Sequence, residues 1–153
     1  MPFHLRPMVQ ADIDAVFAIE MSAHRAPWGR AVLSDCVLVG YDCRILEIDS
    51  ESGAELLSYV INRYEEGICH ILNLCVAPAK QGMGYGEKML QHVIDIQTVP
   101  GIFAIRLEVR PSNPHAIRLY EKLGFQQIAV KRGYYREGEA IEDAMVLEKT
   151  LHR

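Results

Sequence analysis

Apolar residues recur at helical spacing over Ala11 to His24, where Ile13, Val16, Phe17 and Met21 share one side. Asp12 and Asp14 fall in the first turn of that segment, a favourable place beside the positive end of a helix dipole. A second, shorter helix is predicted over Gly29 to Leu38 from Ala31, Val32 and Cys36. Pro27 breaks the chain between the two, so Arg25 to Gly29 is a loop carrying the only tryptophan, Trp28. After an extended start at Phe3 to Arg6, the period changes to two. Tyr41 to Ile48, Glu55 to Arg63 and Ile68 to Val76 read as an antiparallel meander with turns at Asp49 to Gly53 and Glu65 to Gly67. Pro78 stops the third of these, and a glycine-rich loop leads to a helix over Glu87 to Ile96 with the stripe Met89, Leu90, Val93 and Ile94. Ile102 to Val109 is a buried strand and Asn113 to Leu123 a helix closed by Gly124. Phe125 to Lys131 and Ile141 to Leu147 are the last strands, joined by a segment around Gly133-Tyr134-Tyr135-Arg136. The order βααβββαβαββ predicts an α/β (α+β) chain, a mixed and mostly antiparallel sheet with helices on both faces.

The chain has 153 residues, 50% of them hydrophobic and 24% charged, which predicts one domain spanning residues 1–153. The formal net charge of −4 argues against non-specific binding to nucleic acid or to an anionic membrane and suits a cationic substrate. No apolar run approaches the roughly 18 residues of a membrane helix, and Gln10, Asp12 and Asp14 interrupt the start before a signal-peptide core forms, so a cytoplasmic protein is expected. Cys36, Cys43, Cys69 and Cys75 contain no C-x-x-C pair or zinc-ribbon spacing, which predicts buried, reduced thiols and no metal.

Two segments carry candidate chemistry. In the first, Gln81-Gly82-Met83-Gly84-Tyr85-Gly86 lies between a strand and a helix, where backbone amides and the helix dipole can cradle phosphate. A P-loop fails, because Glu87 stands at its second glycine and Met89 follows Lys88. A dinucleotide fingerprint keeps Gly82 and Gly84, has Glu87 at its third glycine, and finds Glu108 about 20 residues on. The pattern Q/R-x-x-G-x-G/A, which grips the pyrophosphate of coenzyme A, is met by Gln81, Gly84 and Gly86, and a plain glycine turn is the remaining alternative. In the second segment, Glu108 is a carboxylate near the end of an apolar strand. Desolvation there is expected to raise its pKa and make it a better proton acceptor, the alternative being an ion pair with Arg106 or Arg110. Ser112 or Asn113 caps the next helix, Pro114 fits its first turn, and Tyr120 follows two turns in.

Taken together, V-x-P-x-x-Q-x-x-G-x-G over Val76 to Gly86 and the run Leu107-Glu108-Val109-Arg110, Ser112-Asn113, Ala116-Ile117, Leu119-Tyr120-Glu121, Leu123-Gly124-Phe125 resemble the GNAT superfamily of N-acetyltransferases. Ile19-Glu20, His24, Pro27-Trp28, Asn73, Tyr134-Tyr135 and Glu142-Asp143-Ala144 are similar to its bacterial ribosomal-protein-alanine type. The resemblance implies a GNAT fold whose sheet splays between strands four and five to admit acetyl-CoA. It further implies that Leu74, Cys75 and Val76 bind the pantetheine, that Gln81, Gly82, Met83, Gly84, Tyr85, Gly86 and Glu87 take the pyrophosphate, and that Asn113 contacts the coenzyme. Glu108 matches the family's proton acceptor and Tyr120 its proton donor. His24, Pro27, Trp28, Asn73, Tyr134 and Tyr135 fall to the acceptor, implied to be a protein N-terminus, the alanine of a small-subunit ribosomal protein. Departures from the pattern are Gly82 and Met83 at positions often basic or polar, Gly133, and Ala140-Ile141 before Glu142-Asp143.

The chemistry favours an α-amine over lysine, since about 7.7 to 8.0 against about 10.4 is the difference in how readily each loses its proton. The rival readings are a GNAT enzyme for a small amine and a non-catalytic acyl-CoA-binding module. Glu137, Glu139, Glu142 and Asp143 form an acidic cluster expected to attract a basic acceptor tail.

Overall fold

A computed structural model describes Phe3 to Leu151. The elements are β1 (Phe3–Pro7), α1 (Ile13–Ala23), α2 (Arg30–Leu38), β2 (Asp42–Ser50), β3 (Gly53–Glu65), β4 (Ile68–Val76), α3 (Tyr85–Gln97), β5 (Ala104–Val109), α4 (Pro114–Lys122), β6 (Gln126–Glu137) and β7 (Ala140–Thr150), with 3-10 turns at Gln10–Asp12 and Pro78–Lys80. Hydrogen bonding orders the strands β1-β2-β3-β4-β5-β7-β6, and β4 with β5 is a parallel pair among antiparallel ones. The mixed sheet of an α/β fold is therefore as the periodicity predicts.

The chain forms two compact units. The first takes the chain up to Arg63 together with Asn73–Leu90. Here α1 buries Ile13, Val16 and Glu20, and α2 buries Leu33 and Cys36, so an acidic residue lies on a helix face otherwise made for the core. On β3 the six residues from Leu57 to Asn62 are all buried, so the strand is covered on both faces and the period of two disappears. The guanidinium of Arg6 on β1 bonds Asp12 at 2.8 Å and Glu47 at 2.9 Å, tying the strand to the turn before α1 and to β2. α3 begins at Tyr85, two residues before the predicted start, because the Gly84 carbonyl accepts from the Lys88 N–H at 3.0 Å and closes a turn around them.

The second unit takes Tyr64–Leu72 and the chain from Gln91 on. The parallel ladder of β4 and β5 runs from Ile68↔Ala104 to Ile71↔Leu107 and stops there, although β4 continues to Val76 and β5 to Val109. β5 goes on pairing with β7 as far as Val109↔Met145. One expectation is corrected: Gly133-Tyr134-Tyr135-Arg136 does not join two strands but lies within β6, and the turn is at Gly138 and Glu139. The physical reason is a bulge. The β6–β7 register shifts between Lys131 and Tyr135, Gly133 adopts φ +61°, and its N–H donates to the Asp143 carboxylate at 2.8 Å.

Asn113 is the residue that caps α4: its side-chain oxygen accepts from the Ala116 N–H at 3.2 Å, and Pro114 opens the helix. Asn113→Ala is expected to remove about 1 kcal/mol of stability, a fall of roughly 2 to 4 °C in Tm by calorimetry, with Asn113→Ser near wild type. Among the described residues no helix is long and apolar enough to cross a membrane.

Candidate active site

In the second unit the site grows from one carboxylate. Along β5 the residues Ala104, Ile105, Leu107 and Val109 are buried, and Glu108 stands among them with its side chain only 7% exposed. His70 Nε2 on β4 donates to Oε1 at 2.7 Å, and Lys131 Nζ on β6 donates to Oε2 at 2.8 Å. Two expectations change here. The partners are His70 and Lys131, since Arg106 pairs with Glu148 at 2.6 Å and Arg110 with Glu142 at 3.0 Å. Burial does push the Glu108 carboxyl up, but the hydrogen bonds and charge of His70 and Lys131 outweigh it, and the group sits below the ordinary carboxylate value.

Three tyrosines share this region. Tyr135 on β6 has its phenol raised by burial first, then by Tyr134, Glu108 and Tyr120, against the Arg110 guanidinium stacked 4.1 Å from its ring centre. Glu108, Tyr120 and Tyr135 thus lie within electrostatic reach of one neighbourhood. Tyr120 packs its ring on Phe125 at 5.8 Å, and burial pushes its hydroxyl up to about 12, so it is a protonated donor at neutral pH. Tyr134 is exposed, edge-on to Tyr135 at 5.0 Å with Lys131 above its ring at 5.1 Å. The acidic cluster is largely committed within the unit: Glu142 accepts from Arg110 and Ser112, Asp143 from the Gly133 amide, and Glu137 pairs with Arg110 at 3.7 Å.

In the first unit a second carboxylate organises the residues expected to meet the acceptor. Glu20 accepts from the Trp28 N–H at 2.9 Å, from the Asn73 amide at 2.9 Å and from the Tyr59 hydroxyl at 2.5 Å. His24 Nε2 lies 3.4 Å from the same carboxylate, and Pro27 is half-buried beside Trp28 in the sequence. At the end of β4 the Cys75 carbonyl accepts from Ser58 at 2.8 Å and the Val76 carbonyl from the Gln81 side chain at 3.2 Å. Gln81 therefore pins the glycine loop back onto the strand that carries Leu74. The Cys75 thiol is buried and raised to about 11, which leaves almost no thiolate at neutral pH.

The glycine loop itself is open. Gly82 at φ +80° and Gly84 at φ +86° adopt backbone that L side chains rarely enter, and a Cβ on either meets nothing within 4 Å. The amides of Tyr85 and Gly86 head the 13-residue α3, where helical N–H groups lack helical acceptors. This donor set and the open approach fit a pyrophosphate. Met83 is 61% exposed over the same loop. His70, Lys131 and Tyr59 were not singled out by the sequence. The only local signal in the sequence is that His70 is a polar residue within the largely apolar run Ile68 to Val76, and nothing local marks the other two.

The chain matches the model of the acetyltransferase (GNAT) family over residues 13–125 and belongs to that family. It is an N-acetyltransferase. It is 31% identical over 136 residues, 89% of each chain, to [ribosomal protein bS18]-alanine N-acetyltransferase of Escherichia coli (strain K12). The crystal structure of the Escherichia coli ribosomal-protein-S18-alanine N-acetyltransferase superposes with a TM-score of 0.89 at 28% identity, covering 99% of this chain and 96% of that one. The fold also matches yncA of Salmonella typhimurium, solved with acetyl-CoA, with a TM-score of 0.77 at 22% identity over 100% of this chain and 96% of that one.

Proposed function

We propose that this protein transfers an acetyl group from acetyl-CoA to the N-terminal amine of a protein, the alanine of ribosomal protein bS18. The observation that carries the acceptor is the identity to bS18-alanine acetyltransferases across 89% of both chains. Both units are read as one catalytic domain acting in the cytoplasm. Acetyl-CoA supplies the activated acetyl group. Backbone amides of Leu74 to Val76 bind its pantetheine and stabilise negative charge developing on the carbonyl oxygen. The loop from Gln81 to Glu87 takes the pyrophosphate. Asn113 contacts the coenzyme with the part of its amide that the helix cap leaves over.

In this reading Glu108 removes the proton of the acceptor ammonium, directly or through one water, and frees the lone pair that forms the C–N bond. His70 and Lys131 hold the Glu108 carboxylate ionised and aimed. As the C–S bond breaks, Tyr120 gives its hydroxyl proton to the departing sulfur and regains one from the nitrogen that has become an amide. Tyr135 and Tyr134 hold the peptide, and Trp28 with Pro27 and His24 walls the slot for its first side chain. The test is a rate comparison with acetyl-CoA: peptides beginning Ala should be acetylated at least about tenfold faster than spermidine at equal concentration, a difference of about 1.4 kcal/mol in the barrier. Faster acetylation of spermidine than of any peptide would reassign the acceptor to a small amine.

A further inference from the structure

We infer that Glu20 is a positioning residue for acceptor recognition: its buried carboxylate fixes the Trp28 loop, and through it the slot for the first side chain of the incoming peptide. The inference rests on the reading of Trp28 as a wall of that slot. Glu20 is 1% exposed on the last turns of α1. A buried carboxylate is tolerated only when its lone pairs are satisfied, and an apolar residue would pack the same helix face at lower cost. What the carboxylate does that an apolar residue cannot is join separate elements. Tyr59 from β3 and Asn73 from β4 both donate to Oε1, at 2.5 Å and 2.9 Å, and the Trp28 backbone N–H donates to Oε2 at 2.9 Å.

The consequence is that the loop between α1 and α2 takes its position from two strands. The sheet and α1 together hold Trp28, through hydrogen bonds aimed at one group. Asn73 acquires a part in supporting the loop, because one N–H of its amide is given to Glu20. His24 stands one turn further along, with Nε2 buried, 3.4 Å from Oε1 and without a hydrogen-bond partner among the described residues. The same carboxylate therefore lies against both ends of the His24 to Trp28 loop.

Glu20→Gln keeps the size but turns an NH2 group towards donors, so one of the three hydrogen bonds becomes a donor facing a donor. Tyr59→Phe is the milder variant, which removes one donor and leaves the carboxylate bonded to Asn73 and Trp28. Trp28 is the only tryptophan, so its fluorescence reports where the loop sits. The experiment measures acceptor-peptide KM and kcat, acetyl-CoA affinity and Trp28 emission in both variants and in Trp28→Ala, which gives kinetics alone. Glu20→Gln should raise the peptide KM about tenfold and Tyr59→Phe by a few-fold, with much smaller changes in kcat and coenzyme affinity. Trp28 emission should shift to longer wavelength and quench more readily with acrylamide in both. A raised KM in Trp28→Ala with unmoved KM and emission in Glu20→Gln and Tyr59→Phe would make Glu20 a brace for the core and overturn the inference alone. An unmoved KM in Trp28→Ala would overturn the slot itself, and the inference with it.

Discussion

Glu108→Gln is expected to lower kcat by about 10² or more at neutral pH while acetyl-CoA affinity stays within a few-fold, the scale of losing a positioned general base. The glutamine keeps the volume and an oxygen for one of the two donors, so folding is expected to survive. The direction of the Glu108 shift also fixes where its titration shows in the rate. A carboxyl held below its ordinary value stays ionised as pH falls through the usual range near 4.3, so its contribution is lost only below that range. Between pH 5 and 8 the profile of kcat/KM should therefore contain no limb from Glu108. The acceptor α-amine, titrating at about 7.7 to 8.0, should make the rate climb with pH. Lys131→Met removes one of the two donors that lower the Glu108 carboxyl, and the acid limb of the rate should move upward in pH. A Glu108→Gln enzyme with the wild-type rate across pH would end the proton-acceptor assignment.

Gly84→Val should weaken acetyl-CoA binding by roughly 10²-fold in calorimetry, because 1 to 3 kcal/mol of backbone strain at positive φ is worth about one to two powers of ten in affinity. The space around Gly84 is empty, so the effect comes from the backbone and not from crowding within the protein. A valine pulls φ away from +86°, and the amides that converge on one anion diverge. Gly84→Ala, without the branch, should lie between the two. Because the loop is exposed, the thermal midpoint should change little beside the affinity. An unchanged dissociation constant for Gly84→Val would remove this loop from the coenzyme site.

What the sequence made legible was local. Pro27, Gly124 and the change from a period near 3.6 to a period of two are written in adjacent residues, and the elements follow them. Gly133 misled because a bulge glycine inside a strand has the same local appearance as a turn glycine between strands, and only the register against β7 separates the two. His70 and Lys131 stayed hidden for a related reason. The contact of His70 with Glu108 depends on the parallel register Ile71↔Leu107, and that of Lys131 on how β6 lies against β7, neither of which any short window contains. The wrong direction for the Glu108 pKa followed directly: the apolar strand advertised desolvation, while the two donors that outweigh it lie 38 and 23 residues away. Glu20 belonged to a matched pair of residues in the sequence, but its burial and its three donors arise from tertiary packing.

The most direct measurement is acetylation of intact ribosomal protein bS18 by the purified enzyme with acetyl-CoA, followed by mass spectrometry of the N-terminal peptide. One acetyl group on the α-amine of the terminal alanine, formed within minutes by the wild type and at least about 10² more slowly by Glu108→Gln, is the predicted result. Acetyl groups confined to lysine side chains, or no acetylation of the protein by an enzyme that readily acetylates spermidine, would contradict it.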